Sequence, residues 1–172
     1  MNAKEFVDIA RQGYPNLPNP ETLKLLEADE EFRLAVCEEL NKTVTEPDRE
    51  FVRYLTNLYI KAHYGMVTES WQNGLDPFRL CGLMLFKLGN VEDSFLLWQI
   101  KELDFDTFCG LDIQLLVGAG VDKTIGYLKN LAEESALRAV DYIQKCRITG
   151  DFDNLGRYVA DCNRYFGYEP AD

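Results

Sequence analysis

Apolar residues recur along this chain with the period of an α-helix, and glycine or proline separates one run from the next. Phe51, Leu55, Leu58 and Ala62 fall at i, i+4, i+7 and i+11, which is the stripe of an amphipathic helix. No segment alternates apolar and polar residues with the period of two that a half-buried strand requires. The pattern therefore predicts an all-α protein.

The boundaries of the helices follow from capping residues and glycines. Asp29 and Asp76 are predicted to cap helices, as is either Asp104 or Asp106, and Gly89 and Gly150 are predicted to end two others. The predicted helices cover residues 2–12, 20–29, 29–40, 48–64, 78–88, 91–103, a run containing Phe108, Leu111 and Leu115, 132–148 and 152–166.

Two short stretches of the chain echo each other: "YGMVTESW" at 64–71 and "LGNVEDSF" at 88–95. Weaker copies begin near Val121 and Phe152, so the units start at Val67, Val91, Val121 and Phe152. A helix–glycine turn–helix unit of about 30 residues is typical of stacked helical hairpins, in which each hairpin covers its neighbour's apolar face. We interpret the echo as architectural rather than as a binding motif. It predicts an α/α superhelix of stacked antiparallel hairpins.

The stretch "LCGLMLFKLGNVEDSFLLWQIKELDFD", residues 80–106, resembles one tetratricopeptide-type repeat. Gly82 matches the small residue of that repeat's first helix, and Gly89 matches its turn glycine. The chain departs from the family pattern where Val91 replaces an aromatic residue, Ser94 replaces alanine and Asp106 replaces proline. The resemblance implies an irregular tetratricopeptide/HEAT-like superhelix and, by analogy, a protein-binding role.

Length and composition indicate one all-helical domain spanning 1–172, with N-terminal helices in 1–46 and hairpin repeats in 47–172. The N-terminus lacks the apolar region of a signal peptide, and no apolar run is long enough to span a membrane. The five cysteines are widely spaced, with no CxxC pair, which favours reduced thiols over a disulfide framework or zinc site. We therefore expect a cytoplasmic protein.

The net charge of −11 narrows the possible partners. An acidic surface should repel nucleic acid and anionic membranes and attract a basic protein. Charge runs usually form a solvated helix face, but the densest one offers a candidate contact surface. Tyrosine is favoured at interfaces, which adds two aromatic candidates. The candidate protein-binding residues are Glu30, Glu31, Glu38, Glu39, Tyr54 and Tyr127.

The sequence offers few residues for catalysis. His63 is the sole histidine, and its place at the C-terminal end of a predicted helix indicates that it interacts favourably with the helix dipole. Asp104, Asp106 and Asp112 could hold a hard cation such as magnesium. However, capping of the predicted helix start explains Asp104 and Asp106, and Asp112, six residues past Asp106, would not face it on a helix. No motif for a catalytic nucleophile occurs in the sequence. The stretch "VGAGVDKT" is not a phosphate loop, because its glycines lack the required spacing. We expect no cofactor and no resident metal.

These observations predict a non-enzymatic protein-binding module. Its most concrete form is an acidic immunity or antidote protein that masks a basic partner, for example a cationic toxin. A generic helical-repeat adaptor or regulatory scaffold fits the same physical properties. From another functional class, a metal-dependent hydrolase using Asp104, Asp106 and Asp112 is the alternative.

Overall fold

The computed structural model describes residues 1–13, 17–65 and 74–168. These residues form ten α-helices and two short 3₁₀ helices, and they contain no strand, so the all-α prediction is confirmed. The hairpin superhelix and the single-domain organisation stay predictions. The α-helices are α1 (Ala3–Gln12), α2 (Pro20–Ala28), α3 (Glu30–Lys42), α4 (Arg49–His63), α5 (Asp76–Leu88), α6 (Asp93–Lys101), α7 (Phe105–Gly110), α8 (Val121–Leu131), α9 (Glu134–Thr149) and α10 (Leu155–Tyr165). The 3₁₀ helices are Glu46–Asp48 and Ile113–Val117.

Side-chain caps fix several helix starts where the sequence predicted them. Asn2 and Glu5 form a reciprocal capping box at the start of α1, with hydrogen bonds of 2.9 and 3.0 Å. Asp29 separates α2 from α3 and accepts a hydrogen bond from the Phe32 N–H at 2.9 Å. Asp104 caps α7 by accepting a bond from the Thr107 N–H. Each cap satisfies a backbone donor that has no partner within its helix.

Some predicted helices begin or end elsewhere. The expected continuous helix through Leu111 and Leu115 is wrong, because α7 ends at Gly110 and a 3₁₀ helix follows from Ile113. Leu111 has an extended backbone with ψ 114°, which interrupts the helix, and Lys101 donates hydrogen bonds to the Phe108 and Leu111 carbonyls at this break.

Three predicted helix starts are shifted. Ala132 has the left-handed φ of 53°, so the helix expected over 132–148 begins after it, at Glu134. Phe152 lies in a turn, and α10 begins at Leu155. Val91 likewise precedes α6, which begins at Asp93. The first copy of the echo, including Val67, lies outside the described residues from Met66 onward.

The chain divides into two compact units, Met1–Met84 and Leu85–Asp172. In the first unit α1 and α2 pack against α3, and α3 packs against α4. Phe6 and Phe51 stack at the centre of this unit with ring centroids 6.1 Å apart. The fully buried Asp48 carboxylate accepts two 2.9 Å bonds from Arg11, which ties α1 to the 3₁₀ helix before α4.

The core of the first unit also contains a charged side chain. Arg33 is completely buried, and its guanidinium donates one hydrogen bond to the Leu26 carbonyl. Its Cζ atom lies 4.9 Å from the ring centroid of Tyr59. Among the described residues, its Nε and Nη2 atoms have no hydrogen-bond partner. An incompletely paired cation inside a protein is costly, so this residue is a weak point of the first core.

In the second unit α6 lies against α7, α8, α9 and the second 3₁₀ helix, and α8 packs against α9. The buried side chains of this core come mainly from Leu97, Ile100, Leu128, Ala139 and Ile143. Gly118 follows the 3₁₀ helix and lies directly against the Phe86 backbone near the end of α5. Among the described residues, no helix has both the length and the apolar character needed to cross a membrane.

Candidate functional site

The structure places the four predicted glutamates on α3 of the first unit. Glu31 and Glu38 are exposed and lie seven residues apart, so they share the outer face of the helix. Glu30 is half-buried in the first turn, where a carboxylate is stabilised by the helix dipole. Glu39 is half-buried and forms a 2.6 Å ion pair with Lys42. The outer face of α3 therefore presents mainly two carboxylates.

The two predicted tyrosines lie in different units. Tyr54 on α4 is half-buried, stacks on Phe51 with centroids 6.5 Å apart, and its hydroxyl is 3.5 Å from a Glu27 carboxylate oxygen. Burial, followed by the charge of Glu27, raises the pKa of Tyr54. Tyr127 on α8 of the second unit is also half-buried. Tyr54 thus has a packing role in the first unit.

The aspartates proposed as metal ligands have other partners. Asp104 caps α7, Asp106 is exposed in the first turn of that helix, and Asp112 accepts a 2.9 Å hydrogen bond from the Tyr158 hydroxyl. Within the described part of the chain, no group of three histidine, cysteine or acidic residues is arranged to hold a metal ion. His63 ends α4, as predicted, and its ring lies 6.0 Å from that of Phe78.

The five thiols are all free. Cys37 and Cys81 are buried in the first unit, as predicted for apolar packing residues. Cys109 is exposed, whereas Cys146 and Cys162 are half-buried. That the cysteines are reduced in the cell stays a prediction.

A groove of about 460 Å³ opens between α6, α7 and α9 of the second unit. Trp98, Phe108 and Tyr142 form its floor, with ring centroids 5.3–6.2 Å apart. Leu137, half exposed, adds an aliphatic side chain from α9. We call this site the aromatic groove. Trp98 is buried, and Phe108 and Tyr142 are half-buried. A concave, mostly apolar surface of this kind is typical of places where a protein binds another molecule.

Three carboxylates and one guanidinium surround the floor of the aromatic groove. The carboxylates are Glu102, Glu134 and Asp141, and we call them the acidic rim. Arg138 lies among them and is 2.8 Å from Glu102 and 3.2 Å from Glu134. Glu102 and Glu134 share Arg138, and Asp141 pairs with Lys145, so the three rim carboxylates exceed the two cations paired with them by one negative charge.

Glu102 is held in place within the rim by hydrogen bonds from two neighbouring side chains. Its carboxylate accepts bonds from the Arg138 Nε at 2.8 Å and from the Ser135 hydroxyl at 2.5 Å. Burial alone would raise the pKa of Glu102, but the bonds from Arg138 and Ser135 outweigh it, and the net pKa is lowered. Glu102 is therefore ionised at neutral pH.

Lys101 fixes the groove floor from behind. Its ammonium is buried and donates 2.5 Å hydrogen bonds to the Phe108 and Leu111 carbonyls at the end of α7. Its Nζ atom also lies 4.9 Å from the Phe108 ring centroid and 5.7 Å from that of Tyr142. Burial lowers the pKa of Lys101, and the charge of Asp112 opposes this shift. We call this arrangement the lysine clamp.

A polar cleft of about 310 Å³ adjoins the lysine clamp. Phe108 and Tyr142 line both this cleft and the aromatic groove, so the two rings separate them. The other cleft residues include Cys109, Cys146 and Asp151. Burial, followed by the charge of Asp151, raises the pKa of Cys146, so this thiol is protonated and weakly nucleophilic at neutral pH.

Sequence reasoning missed the aromatic groove, although α9 carries a signal for it. Ala136, Ala139 and Ile143 form the buried stripe of this helix, and Leu137 lies off that stripe between Glu134 and Asp141. An apolar residue on the solvent face, flanked by two acids one turn away on either side, indicates a contact surface. The opposite wall comes from α6 and α7, and only tertiary structure brings it close.

The aromatic groove, its acidic rim and the lysine clamp thus form the best-defined candidate site in the described part of the chain. Comparison of the chain with protein-family models, with curated proteins and with solved structures finds no match.

Proposed function

We propose that this chain is a non-enzymatic binding protein for a basic protein partner, most concretely an antidote-type protein that masks a cationic toxin. The observation that carries the proposal is the aromatic groove with its acidic rim. The aromatic floor offers apolar contact area, and the rim favours a ligand with positive charge beside its apolar side chain.

The charge of the whole chain supports the same partner. Residues 1–84 carry fourteen acids and nine bases, and residues 85–172 carry fifteen acids and nine bases. Both units are therefore acidic, which would speed the association of a basic protein at low ionic strength. The outer face of α3, with Glu31 and Glu38, is the second surface that could take part.

Compartment and architecture belong to the same proposal. Five free thiols support a reducing compartment such as the cytoplasm. The α8–α9 pair supports the hairpin-repeat architecture, because these helices pack together across a connection of two residues, Ala132 and Glu133. A series of such hairpins would provide the extended surface on which repeat proteins bind partners.

The proposal is tested by capturing partners from the native cell with the tagged full chain and eluting them with rising salt. We expect a basic protein whose apparent affinity falls as ionic strength rises, because salt screens exposed charges. An acidic partner, or binding that does not respond to salt, would overturn the proposal.

Two sets of variants then locate the contact surface for the captured partner. The first set neutralises the acidic rim by Glu102→Gln, Glu134→Gln and Asp141→Asn. The second set reverses the charges on α3 by replacing Glu30, Glu31, Glu38 and Glu39 with lysine. We expect the rim variant to weaken binding by about tenfold or more. A loss confined to the α3 variant would move the contact surface to the first unit.

A further inference from the structure

We propose that the segment bound in the aromatic groove is an α-helix of the basic partner that presents one large aliphatic side chain to the floor. Two basic side chains seven positions apart would lie beside Glu134 and Asp141. This inference rests on the proposed function, and it specifies the chemistry and secondary structure of the partner at the groove.

The packing of the floor favours an aliphatic anchor over a cationic one. The three rings of Trp98, Phe108 and Tyr142 contact one another, with centroids 5.3–6.2 Å apart, so no cation fits between them. The Lys101 ammonium already lies against the Phe108 and Tyr142 rings, where it would repel a second cation. A leucine-like side chain is uncharged, so the Lys101 ammonium does not repel it, and it can bury its apolar surface against the floor and Leu137.

The walls of the groove favour a helical partner over an extended one. Helices α6, α7 and α9 line the groove, and the described residues contain no strand whose edge could pair with an extended peptide. Helix backbones satisfy their own hydrogen bonds, so these walls offer side chains only. A partner segment buried here must therefore satisfy its own backbone groups, and an α-helix does so.

The spacing of the rim sets the register of the partner helix. Glu134 and Asp141 lie seven residues apart on α9, which is about 10.5 Å along the helix axis. Leu137 lies between them, three residues after Glu134. A partner helix with basic residues seven positions apart and an aliphatic residue between them repeats the same spacing, so anchor and charges can be engaged together.

The ion pairs already present at the rim leave these carboxylates available. Asp141 is paired with Lys145, and Glu134 with Arg138, but every side chain in these pairs is more than half exposed. Exposed pairs of this kind contribute little free energy, so a partner's arginine or lysine can replace or join them.

The test uses two fluorescein-labelled, alanine-based helical peptides of about sixteen residues, long enough to form helix. The first carries two arginines seven positions apart with a leucine three positions after the first. The second has the same composition, with the leucine moved to the opposite face of the helix. Binding to the full chain is measured by fluorescence anisotropy at low and at physiological salt. We expect the first peptide to bind about tenfold more tightly than the second.

A matched pair of variants in α9 tests whether the groove is the site. Leu137→Glu places a carboxylate in the groove lining beside the aromatic floor, whereas Ile148→Glu introduces the same charge at a residue that is 86% exposed and outside the groove lining. We expect Leu137→Glu to weaken the first peptide by about tenfold and Ile148→Glu to leave it within about twofold. Far-UV circular dichroism checks that both variants stay folded.

The outcomes separate this inference from the proposed function. Equal, salt-dependent binding of both peptides, or equal binding to the Leu137→Glu and Ile148→Glu variants, would overturn the helical anchor and leave the charge-based function standing. Failure of both peptides to bind would also overturn the anchor, whereas an acidic or salt-insensitive natural partner would overturn the function itself.

Discussion

Gly118 offers the sharpest test of packing in the second unit, through the single substitution Gly118→Ala. Its backbone has the ordinary helical φ of −56° and ψ of −30°, so alanine meets no conformational strain there. A Cβ atom at this position would lie 2.5 Å from the Phe86 carbonyl oxygen and 2.7 Å from the Phe86 Cα. These are backbone atoms, which cannot rotate away as a side chain would.

The size of the effect follows from these distances. To bring the Cβ and the Phe86 oxygen to an ordinary contact, the two chain segments must separate by about 1 Å. Overpacking a well-packed site costs about 1–3 kcal/mol, and a clash with backbone belongs at the upper end. We therefore expect a loss of about 3 kcal/mol, which for a chain of this size lowers Tm by about 6–12 °C.

Gly126→Ala is the matched control, because it makes the same chemical change with the opposite expected sign. Gly126 lies inside α8, and a Cβ there would meet nothing within 4 Å. Alanine is preferred to glycine in a helix interior by about 0.5–1 kcal/mol, so this variant should be more stable than the parent. Urea unfolding followed by far-UV circular dichroism measures both changes.

Two results for these variants would contradict the predicted clash at Gly118. If Gly118→Ala lies within about 0.5 kcal/mol of the parent, the close approach to Phe86 does not hold in solution. If Gly126→Ala is destabilising as well, the loss at Gly118 cannot be assigned to that contact. Opposite signs would support both assignments.

Three further predictions concern charged side chains. In urea unfolding, Arg33→Met should have a free energy of unfolding within about 1 kcal/mol of the parent, or higher. Arg33→Ala should lose about 2–5 kcal/mol of that free energy. A large loss in Arg33→Met would mean that the guanidinium has a further partner. Asp48→Ala should lose about 3 kcal/mol of unfolding free energy in the same assay, because its buried carboxylate accepts hydrogen bonds from Arg11 and from the Thr45 N–H at the start of the 3₁₀ helix. An unchanged urea midpoint would contradict this prediction. Glu102 has a pKa below its ordinary value of 4.5, so it stabilises the fold above that pH, and this contribution disappears as pH falls through the lowered value. Thermal unfolding of Glu102→Gln should therefore differ from the parent at pH 7 and approach it once the pH lies below the lowered pKa of Glu102, and a difference that does not change with pH would count against the hydrogen bonds from Arg138.

Local chemistry made much of the fold predictable. Asp29 is predictable as a cap, and the α7 cap is predictable as either Asp104 or Asp106, because a short acceptor side chain before an apolar run satisfies the first helix N–H groups. Gly89 and Gly150 were recognised as stops, and both have positive φ, which other residues rarely adopt. These signals act within a few residues, so a sequence pattern contains them completely.

The errors and omissions have a different cause. At the end of α7 the Phe108 and Leu111 carbonyls accept hydrogen bonds from the side chain of Lys101, which lies seven or more residues earlier in the chain. The left-handed turn at Ala132 contains no glycine that would have indicated it. The groove floor needs Trp98 and Phe108 beside Tyr142, 34 residues further along the chain than Phe108. Glu30 and Glu39 stood out by charge density, but charge density does not reveal whether a side chain is half-buried or already paired.

The lysine clamp has a consequence for protein engineering. The clamp is buried and holds the groove floor through α7, whereas the acidic rim is more exposed and held by polar contacts. A helix of six residues has little stability of its own, so the shape of the floor depends on Lys101. Rim and floor can therefore be changed independently. Replacing the exposed rim acids Glu134 and Asp141 with basic residues would redirect the groove toward acidic partners, whereas a redesign must retain Lys101 and the hydrogen-bonded Glu102.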